Sequence, residues 1–312
     1  MSVERAVLKG RVNRVPAFRA RLWRGLTPYV FLAPALVFYA IFFLFSVLFS
    51  LYLSLREWDM LSPLSDAEYV GIGNYLYLFS GDKLFLPVLR NTLVFALGGL
   101  LFTVAVSLLL ALLMGRSRYK AWWRTLYFLP MVTTVVAIGE IWRYLYNPQF
   151  GLLNALLRMA GLKGLGWIES PEQAMSALIA VSVWAGLGGS LLIFSAGLES
   201  IPETYYEAAR IDGAGPWQEF CHITLPLLRP TLLFVLVTGF ITGLQSFALV
   251  LVMTGGGPAN ATRVLALYMY QTAFQDLRMG RATAMVFVLF LVILAITLVQ
   301  LRLFRRGGVE SY

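Results

Sequence analysis

Few side chains in this sequence could perform covalent chemistry. The chain has one histidine, His222, and one cysteine, Cys221, so a histidine-based metal site or a Ser–His–Asp triad is nearly excluded. No Gly-Lys dipeptide occurs, so there is no Walker A loop and the chain cannot itself be a P-loop ATPase. We therefore expect a chain that is not an enzyme, with no catalytic residues, no metal site and no cofactor of its own.

The remaining candidates for a functional role are polar side chains inside long apolar segments. Placing such a group in a membrane costs free energy, so polar residues found there are usually functional. In one segment Glu140 shares a helical face with Thr133, Ala137 and Tyr144. Its carboxylate could accept hydrogen bonds from a hydroxylated solute or take up a proton. The alternative is a structural salt bridge with Arg143.

Two further apolar segments carry small and hydroxyl-bearing residues at helical spacing. Gly186-Leu-Gly-Gly-Ser190 predicts a loosened helix midway along its segment, which is tolerated only where backbone is buried or lines a cavity. Downstream, Thr238, Thr242 and Gln245 form a polar stripe. Polar groups beside an aromatic ring suit a sugar, which offers hydroxyls and a C–H face; close helix packing is the alternative. The candidate solute path comprises Glu140, Gly186, Gly189, Ser190, Thr242, Gly243, Gln245, Ser246 and Phe247.

The chain has six segments long enough to cross a lipid bilayer, and these residues lie in three of them. Of 312 residues, 59% are hydrophobic and only 13% charged, and the mean hydropathy is +0.74. Soluble domains carry about 25% charged residues. We predict an all-α integral membrane protein with six transmembrane helices. The predicted spans are about 28–55, 91–114, 125–146, 174–198, 230–253 and 282–302, in a domain of residues 25–306 between a basic tail, 1–24, and a C-terminal tail, 307–312.

Charges between the spans predict their orientation. Residues 1–24 hold seven basic side chains against one acid, and residues 116–124 hold four basic side chains and no acid. Both stretches are therefore predicted to be cytoplasmic, and so are both termini. Residues 56–90 mix both charges with aromatic residues and are predicted to be external, with an interfacial helix at Asn74–Leu89. The positive charges behind the net charge of +9 cluster beside the apolar segments, so they indicate the topology and do not indicate nucleic-acid binding.

The predicted cytoplasmic loop 199–229 breaks this charge rule. It holds five acids against Arg210 and Arg229. The pattern predicts a helix that Asp212-Gly-Ala-Gly215 stops in a left-handed turn, followed by a second helix that Pro216 starts. A solvated hairpin has no reason to be acidic here, so we interpret the loop as a docking surface for another protein.

The same loop carries a recognisable motif. Glu207-Ala208-Ala209, then Gly213, then Ile223 and Leu225-Pro226 match without a gap the EAA signature of binding-protein-dependent ABC importer permeases. Flanking elements resemble the carbohydrate branch of that family, including Asn74-Tyr75, Asn91-Thr92 and Gly151 followed by Asn154. Thr254-Gly-Gly-Gly-Pro258 is similar to the first-type permease of maltose-like or glycerol-3-phosphate-like pairs.

The resemblance implies the type I importer fold and a prokaryotic cell membrane location. It implies four kinds of partner: a second homologous permease, two cytoplasmic ATP-binding subunits, an external solute-binding protein and a sugar. ATP and magnesium would lie on the ATPase. Residues of the maltose-type site correspond to Gly186, Gly189, Gly243, Gln245 and Ser246, although several side chains differ. The implied ATPase-coupling residues are Tyr206, Glu207, Ala208, Ala209, Asp212, Gly213, Ile223 and Pro226.

Two other functions remain as alternatives. A glycerol-3-phosphate or polyol importer is one, although a phosphorylated solute should need a fixed cation. The predicted spans 4 and 5, residues 174–198 and 230–253, hold no lysine or arginine. An ion-coupled secondary transporter using Glu140 is the other, although such proteins usually show internal repeats and more buried ionisable groups.

Overall fold

The computed structural model describes residues 17–115 and 119–305. The predictions for residues 1–16, for 116–118 and for the C-terminal residues 306–312 lie outside the described residues. Residues up to Tyr52 and residues from Leu53 onward form two separate compact units.

The N-terminal unit is helical. Helix α1 covers Ala17–Tyr39, a π-helical turn covers Ala40–Leu44, and α2 covers Phe45–Ser54. The stretch Pro28–Ser54 is long and apolar enough to cross a membrane, in agreement with the predicted first span.

The second unit contains thirteen further described helices and one small antiparallel sheet, in which Arg56 pairs with Tyr69. The strands are β1 Arg56–Glu57 and β2 Glu68–Tyr69. The helices are α3 Gly73–Ser80, α4 Phe85–Gly115, α5 Lys120–Val132, α6 Val135–Leu145, α7 Leu152–Met159, α8 Ala174–Glu199, α9 Glu203–Ile211, α10 Pro216–Glu219, α11 Leu225–Leu227, α12 Arg229–Leu244, α13 Ala248–Met253, α14 Leu265–Phe274 and α15 Met279–Arg305.

Helices α4, α8 and α15 are long and apolar enough to be uninterrupted spans. The predicted interfacial helix Asn74–Leu89 is wrong as a single element, because α3 ends at Ser80 and α4 begins at Phe85. The Asp82 carboxylate explains this division. Its Oδ1 accepts the N–H groups of Leu84 at 2.8 Å and Phe85 at 3.2 Å, which starts a new helix.

Two predicted spans are interrupted. Helices α5 and α6 meet at 104° around Thr133–Thr134. Here Thr134 takes extended backbone angles and its hydroxyl accepts the Ala137 N–H at 3.4 Å, so it caps α6. The predicted span 230–253 is interrupted as well, because Gln245–Phe247 separate α12 from α13.

The predicted loosening of the helix at Gly186–Ser190 is wrong as well. Helix α8 runs through these residues without a break. A Cβ at Gly188 would lie 2.5 Å from the Tyr127 carbonyl oxygen and 3.1 Å from Phe128 Cα. Part of this glycine-rich stretch therefore serves the close approach of α5 to an intact α8.

The core of the second unit forms where α4 packs along α8 and α12. Near one end of this bundle lies a buried cluster that includes Phe95, Leu178 and Val250; another cluster includes Ala111, Phe194 and Val235. These side chains fix α4, α8 and α12 against one another, and the spaces left between these helices define the cleft described below.

Side-chain amides and hydroxyls fasten the connecting segments to the spans. The Asn91 amide donates to the carbonyl oxygens of Asn260 at 2.9 Å and Arg263 at 3.2 Å, and Thr92 Oγ1 accepts the Leu265 N–H at 2.7 Å. The Asn74 amide similarly donates to the carbonyl oxygens of Ser54 and Arg56. The Asn-Tyr and Asn-Thr pairs noted in the sequence thus have a structural reason.

Tyr268 joins α14 to the start of α4. Its hydroxyl donates to Asp82 Oδ2 at 2.7 Å. Burial first, and then this hydrogen bond, raise the pKa of Tyr268 above its ordinary value. The phenol therefore remains a neutral donor across the physiological pH range.

Candidate functional site

The loop 199–229 folds as a helix, a left-handed turn and a second helical segment. Gly213 has φ +80°, a conformation that a residue with a side chain rarely adopts. The Ala214 N–H donates to the Ala209 carbonyl oxygen at 2.9 Å, and the Gly213 N–H donates to the Arg210 carbonyl oxygen, so the turn closes the end of α9. Pro216 starts α10. The predicted turn and second helix start are confirmed.

Ionic and hydroxyl contacts inside the loop hold its two arms together. Arg210 Nε lies 3.0 Å from Glu219 Oε1, and the Glu219 side chain is 9% exposed. The Tyr206 and Thr224 hydroxyls lie 3.0 Å apart. The hydrogen bond and charge of Glu219 raise the pKa of the Arg210 guanidinium. Glu219 was not predicted as a site residue; its signal in the sequence is that it is the only acid between Pro216 and Pro226.

The predicted coupling residues divide into an outer and an inner set. The exposed ones are Glu207, Ala208, Asp212 and Gly213, and the half-buried ones are Tyr206 and Ala209 on α9 and Ile223 and Pro226 on the second arm. Two exposed apolar residues that the motif does not include lie beside the outer set. Ile211 is 86% exposed and Trp217 is 74% exposed. The loop therefore presents a mixed acidic and apolar surface on a braced support.

A cleft of about 420 Å³ lies among α4, α8, α12 and the end of α5. We call it the α8–α12 cleft. Among the described residues no ionisable side chain lines it. Apolar side chains such as Phe95, Leu100 and Met131 form much of its lining. The glycines and hydroxyl-bearing residues of the lining are Gly99, Thr103, Ser182, Gly186, Gly189, Ser190, Thr238, Gly239, Thr242, Gly243 and Ser246.

The hydroxyls of the cleft are prepared to accept hydrogen bonds. Ser182 donates to the Ile179 carbonyl oxygen at 2.8 Å, Thr238 to that of Phe234 at 2.6 Å, and Thr242 to that of Thr238 at 2.9 Å. Each proton is therefore used within its own helix, while the oxygen lone pairs remain for a donor. Such a lining fits the hydroxyl groups of a neutral solute.

The glycines of the cleft serve two different purposes. A Cβ at Gly186 or Gly189 would meet its nearest neighbours only at 3.7 Å and 3.6 Å, which is ordinary contact. A Cβ at Gly243 would lie 2.9 Å from Ala96 Cα. Gly186 and Gly189 thus have room for a Cβ beside the cleft, whereas Gly243, a candidate solute-path residue, allows α12 to approach α4.

The interruption between α12 and α13 lies at the edge of the cleft. Ser246 lines the cleft, whereas Gln245 and Phe247 do not; Gln245 is exposed, and the Phe247 ring lies 5.2 Å from that of Tyr270. Within residues 17–115 and 119–305, no group donates to the Leu244, Gln245 and Ser246 carbonyl oxygens. Irregular backbone at membrane depth is tolerated where it is buried in protein or lines a water-filled cavity, and at this interruption Ser246 lines the cleft.

Glu140 lies apart from the α8–α12 cleft. Its carboxylate pairs with Arg143 Nη1 at 3.0 Å, one helical turn away. Both side chains border a different cavity, beside Asn147, Phe150 and the end of α13. The structure thus brings together Gly186, Gly189, Ser190, Thr242, Gly243 and Ser246, but not Glu140, Gln245 or Phe247.

Comparison with known protein families identifies the family to which the chain belongs. The family described as binding-protein-dependent transport system inner membrane component matches residues 103–307, which include the 199–229 loop and most of the cleft. The chain belongs to this family. It is therefore a multi-pass permease of the inner membrane and the membrane subunit of an ABC importer.

Individual relatives are similar in sequence along almost the whole length of the permease. It is 36% identical over 289 residues to the probable ABC transporter permease protein YurN of Bacillus subtilis, covering 91% of this chain and 97% of that protein. It is 32% identical to the sn-glycerol-3-phosphate transport system permease protein UgpA of Agrobacterium fabrum, covering 88% and 93%.

A solved structure confirms the type I importer fold of the permease. A chain of a bacterial alginate ABC transporter, crystallised in complex with an alginate pentasaccharide-bound periplasmic protein, superposes with a TM-score of 0.80. The two chains are 25% identical, and the match covers 94% of this permease and 100% of the other chain. The interrupted α5–α6 and α12–α13 segments therefore belong to a transporter fold.

Proposed function

We propose that this permease is the non-catalytic translocation subunit of an ATP-driven importer and that its α8–α12 cleft passes a neutral sugar. The observation that carries the proposal is the lining of the cleft: hydroxyl oxygens and small residues, with no ionisable side chain among the described residues. The related alginate transporter structure, with its pentasaccharide-bound periplasmic protein, supports a saccharide as the solute. Alginate itself is an acidic polysaccharide, so the choice of a neutral sugar rests on the uncharged lining alone.

The 199–229 loop supplies the contact with the motor. We place it on the cytoplasmic side with both termini, and we propose that α9 seats in a cleft of an ATPase subunit. Two such subunits would carry ATP and magnesium, a second homologous permease would complete the pore, and an external solute-binding protein would deliver the sugar. The exposed Glu207 and Gly213, with Ile211 and Trp217 beside them, form the contact surface.

The internal contacts of the loop would transmit motion to the cleft. The Arg210–Glu219 and Tyr206–Thr224 contacts tie α9 to the second arm, which leads through α11 into α12. Helix α12 carries Thr238, Thr242 and Gly243 of the cleft. When ATP binding draws the two loops together, α12 would turn with its loop and open the cleft towards the other side of the membrane.

A glycerol-3-phosphate or polyol importer remains the second candidate, because UgpA is a relative. The uncharged cleft disfavours it, since a desolvated phosphate needs a cationic partner. An ion-coupled transporter is disfavoured by family membership and by the pairing of Glu140 with Arg143.

Uptake into proteoliposomes tests the proposal. The complete transporter, assembled with the proteins encoded beside this chain, would be offered radiolabelled glucose, arabinose, maltose, arabinotriose, maltotriose and sn-glycerol-3-phosphate. We expect uptake of at least one neutral saccharide that requires internal ATP and that a protonophore does not reduce. Uptake of sn-glycerol-3-phosphate alone would establish the second candidate, and uptake abolished by the protonophore with ATP preserved would overturn ATP-driven import.

A further inference from the structure

A second cavity, of about 590 Å³, lies at the ends of α6 and α13. We call it the Tyr144 cavity. Its lining combines exposed aromatic rings with charged and amide side chains, unlike the uncharged α8–α12 cleft. The lining residues that matter below are Glu140, Arg143, Tyr144, Asn147, Phe150 and Glu169.

Tyr144 and Phe150 form an aromatic platform in this cavity. Their ring centroids lie 5.3 Å apart at an interplanar angle of 50°, and the two residues are 63% and 61% exposed. Asn147 holds the connecting turn, because its Oδ1 accepts the N–H groups of Gln149 at 2.9 Å and Phe150 at 3.1 Å. The rings are thus positioned by the backbone while their faces remain available, an arrangement that suits stacking on the C–H face of a sugar.

Charged groups border the platform. Arg143 Nη1 lies 3.0 Å from one Glu140 oxygen and 3.3 Å from the other. Their side chains are 49% and 58% exposed, so much of each group remains free to meet a ligand. Glu169 adds a second carboxylate. Two carboxylates against one guanidinium favour a neutral, hydroxyl-rich ligand over a phosphate or another anion.

The position of the cavity relates it to the solute path. Helix α6 packs on α13, because a Cβ at Gly139 would lie 2.7 Å from Val252 Cγ1. Met253 and Thr254, at the end of α13, line the cavity. The Gln245–Phe247 interruption lies at the other end of α13, which has six residues and is about 9 Å long at 1.5 Å per residue. The cavity and the cleft therefore lie at opposite ends of one short helix.

We propose that the Tyr144 cavity is a second solute subsite, which binds a ring of a neutral sugar by stacking on Tyr144 and Phe150 and by hydrogen bonds to Glu140 and Arg143. A sugar held there would be passed along α13 to the α8–α12 cleft. The inference rests on the proposed function. It gives Glu140 a role in solute binding as part of a charged pair, in addition to its salt bridge.

Ligand-observed saturation-transfer NMR tests the subsite directly. The sample is the complete permease–ATPase complex in nanodiscs without the binding protein, so the affinity of that protein does not enter. The probe is maltotriose and, in parallel, arabinotriose. We expect transfer to C–H protons of at least one trisaccharide, a loss of more than half of it in Tyr144→Ala, and retention in Tyr144→Phe, which keeps the ring.

Tyr69→Ala is the matched control, because Tyr69 is a similarly exposed aromatic residue, 67% exposed, that does not line the cavity. Thermal unfolding of each variant shows whether Tyr144→Ala is folded, and Glu140→Gln provides a second variant with reduced transfer expected. Equal transfer in Tyr144→Ala and Tyr69→Ala would overturn the subsite, as would wild-type uptake of a saccharide without any transfer; the proposed function would stand in both cases. Failure of the wild type to take up any saccharide would overturn both.

Discussion

The 199–229 loop and the α8–α12 cleft are built in opposite ways. The loop keeps charged and hydroxyl contacts inside, at Arg210–Glu219 and Tyr206–Thr224, and exposes the apolar Ile211 and Trp217. The cleft is lined by apolar side chains such as Phe95 and Met131, and among them lie hydroxyl groups, including Thr238 and Thr242, that already donate within their own helices. This contrast is what the two proposed roles require, a surface for contact with a protein and a path for a small polar solute.

The two regions also differ in how far apart in sequence their parts lie. The loop is one stretch of 31 residues, and its turn depends on a single glycine, Gly213. The cleft is assembled from α4, α8 and α12, and its width depends on which atoms of one helix meet those of another. Substitutions should therefore act locally in the loop and through helix packing in the cleft.

The largest effect is expected from Gly188→Val. A Cβ there would lie 2.5 Å from the Tyr127 carbonyl oxygen, and backbone cannot move aside as a flexible side chain can. Overpacking of this kind costs about 1–3 kcal/mol or more. We expect reduced yield of folded permease and a lower melting temperature in detergent. The neighbouring Gly189→Ala, whose Cβ would meet Met131 Sδ at 3.6 Å, should fold normally; equal melting temperatures would refute the packing role of Gly188.

Gly213→Val should have the next largest effect. Its φ of +80° disfavours any β-branched side chain, so the turn that closes α9 should be distorted while the spans remain folded. We expect near-normal melting but loss of ATPase binding and of uptake, measured by co-purification and by transport. Gly215→Ala is the control, because its φ is −80° and a Cβ there meets no atom closer than 3.9 Å.

If Gly213→Val still bound the ATPase, the contact would not depend on the orientation of α9 that the Gly213 turn fixes. Gly213→Asn should be milder than Gly213→Val, since asparagine tolerates left-handed angles better than other residues with side chains. A graded series, from Asn to Val, would connect the backbone angle with the contact.

Much of the loop could be predicted from sequence because its signals are local. The acidic excess, the Asp212-Gly-Ala-Gly215 turn and Pro216 all act within a few residues of where they stand. The spans could be predicted for the same reason, because each is a long, mostly apolar stretch of sequence. The interruption at Thr133–Thr134 had local cues as well, in Pro130 and the Thr134 cap, but apolar length alone predicted a continuous helix there.

The cleft could not be predicted in the same way. Gly188 and Gly189 are adjacent and chemically identical, yet one meets the α5 backbone and the other has room for a Cβ. The residues Gly186–Ser190 predicted a loosened helix, but α8 is intact there. The interruption lies instead at Gln245–Phe247, between α12 and α13. Such differences depend on contacts between residues distant in sequence, which spacing within one segment does not encode.

A smaller effect is expected from Glu219→Gln, which tests the bracing of the loop. The substitution keeps the size of the side chain but removes the charge that pairs with Arg210 at 3.0 Å. We expect weaker coupling of ATP hydrolysis to uptake, with ATPase binding retained. Glu203→Gln is the matched control, because its contact with Arg210 is longer, at 3.5 Å, and its side chain is 69% exposed. Equal coupling ratios in the two variants would remove Glu219 from the path between the loop and α12.

The smallest effect, and the sharpest test of the cleft, is expected from Thr242→Val. Valine keeps the shape of threonine, and the lost hydroxyl donates only to the Thr238 carbonyl oxygen of its own helix, so stability should change little. What disappears is an acceptor in the cleft, worth about 1 kcal/mol or roughly a fivefold lower uptake rate at saturating binding protein. Thr283→Val on α15 removes a similar hydroxyl, bonded to the Met279 carbonyl oxygen at 2.9 Å but outside the cleft, and should transport normally. If both variants transported at the wild-type rate, the Thr242 hydroxyl would contribute only to the geometry of its helix. The proposed role of the cleft lining in solute binding would then be refuted, while the proposed role of the loop in protein contact would be unaffected.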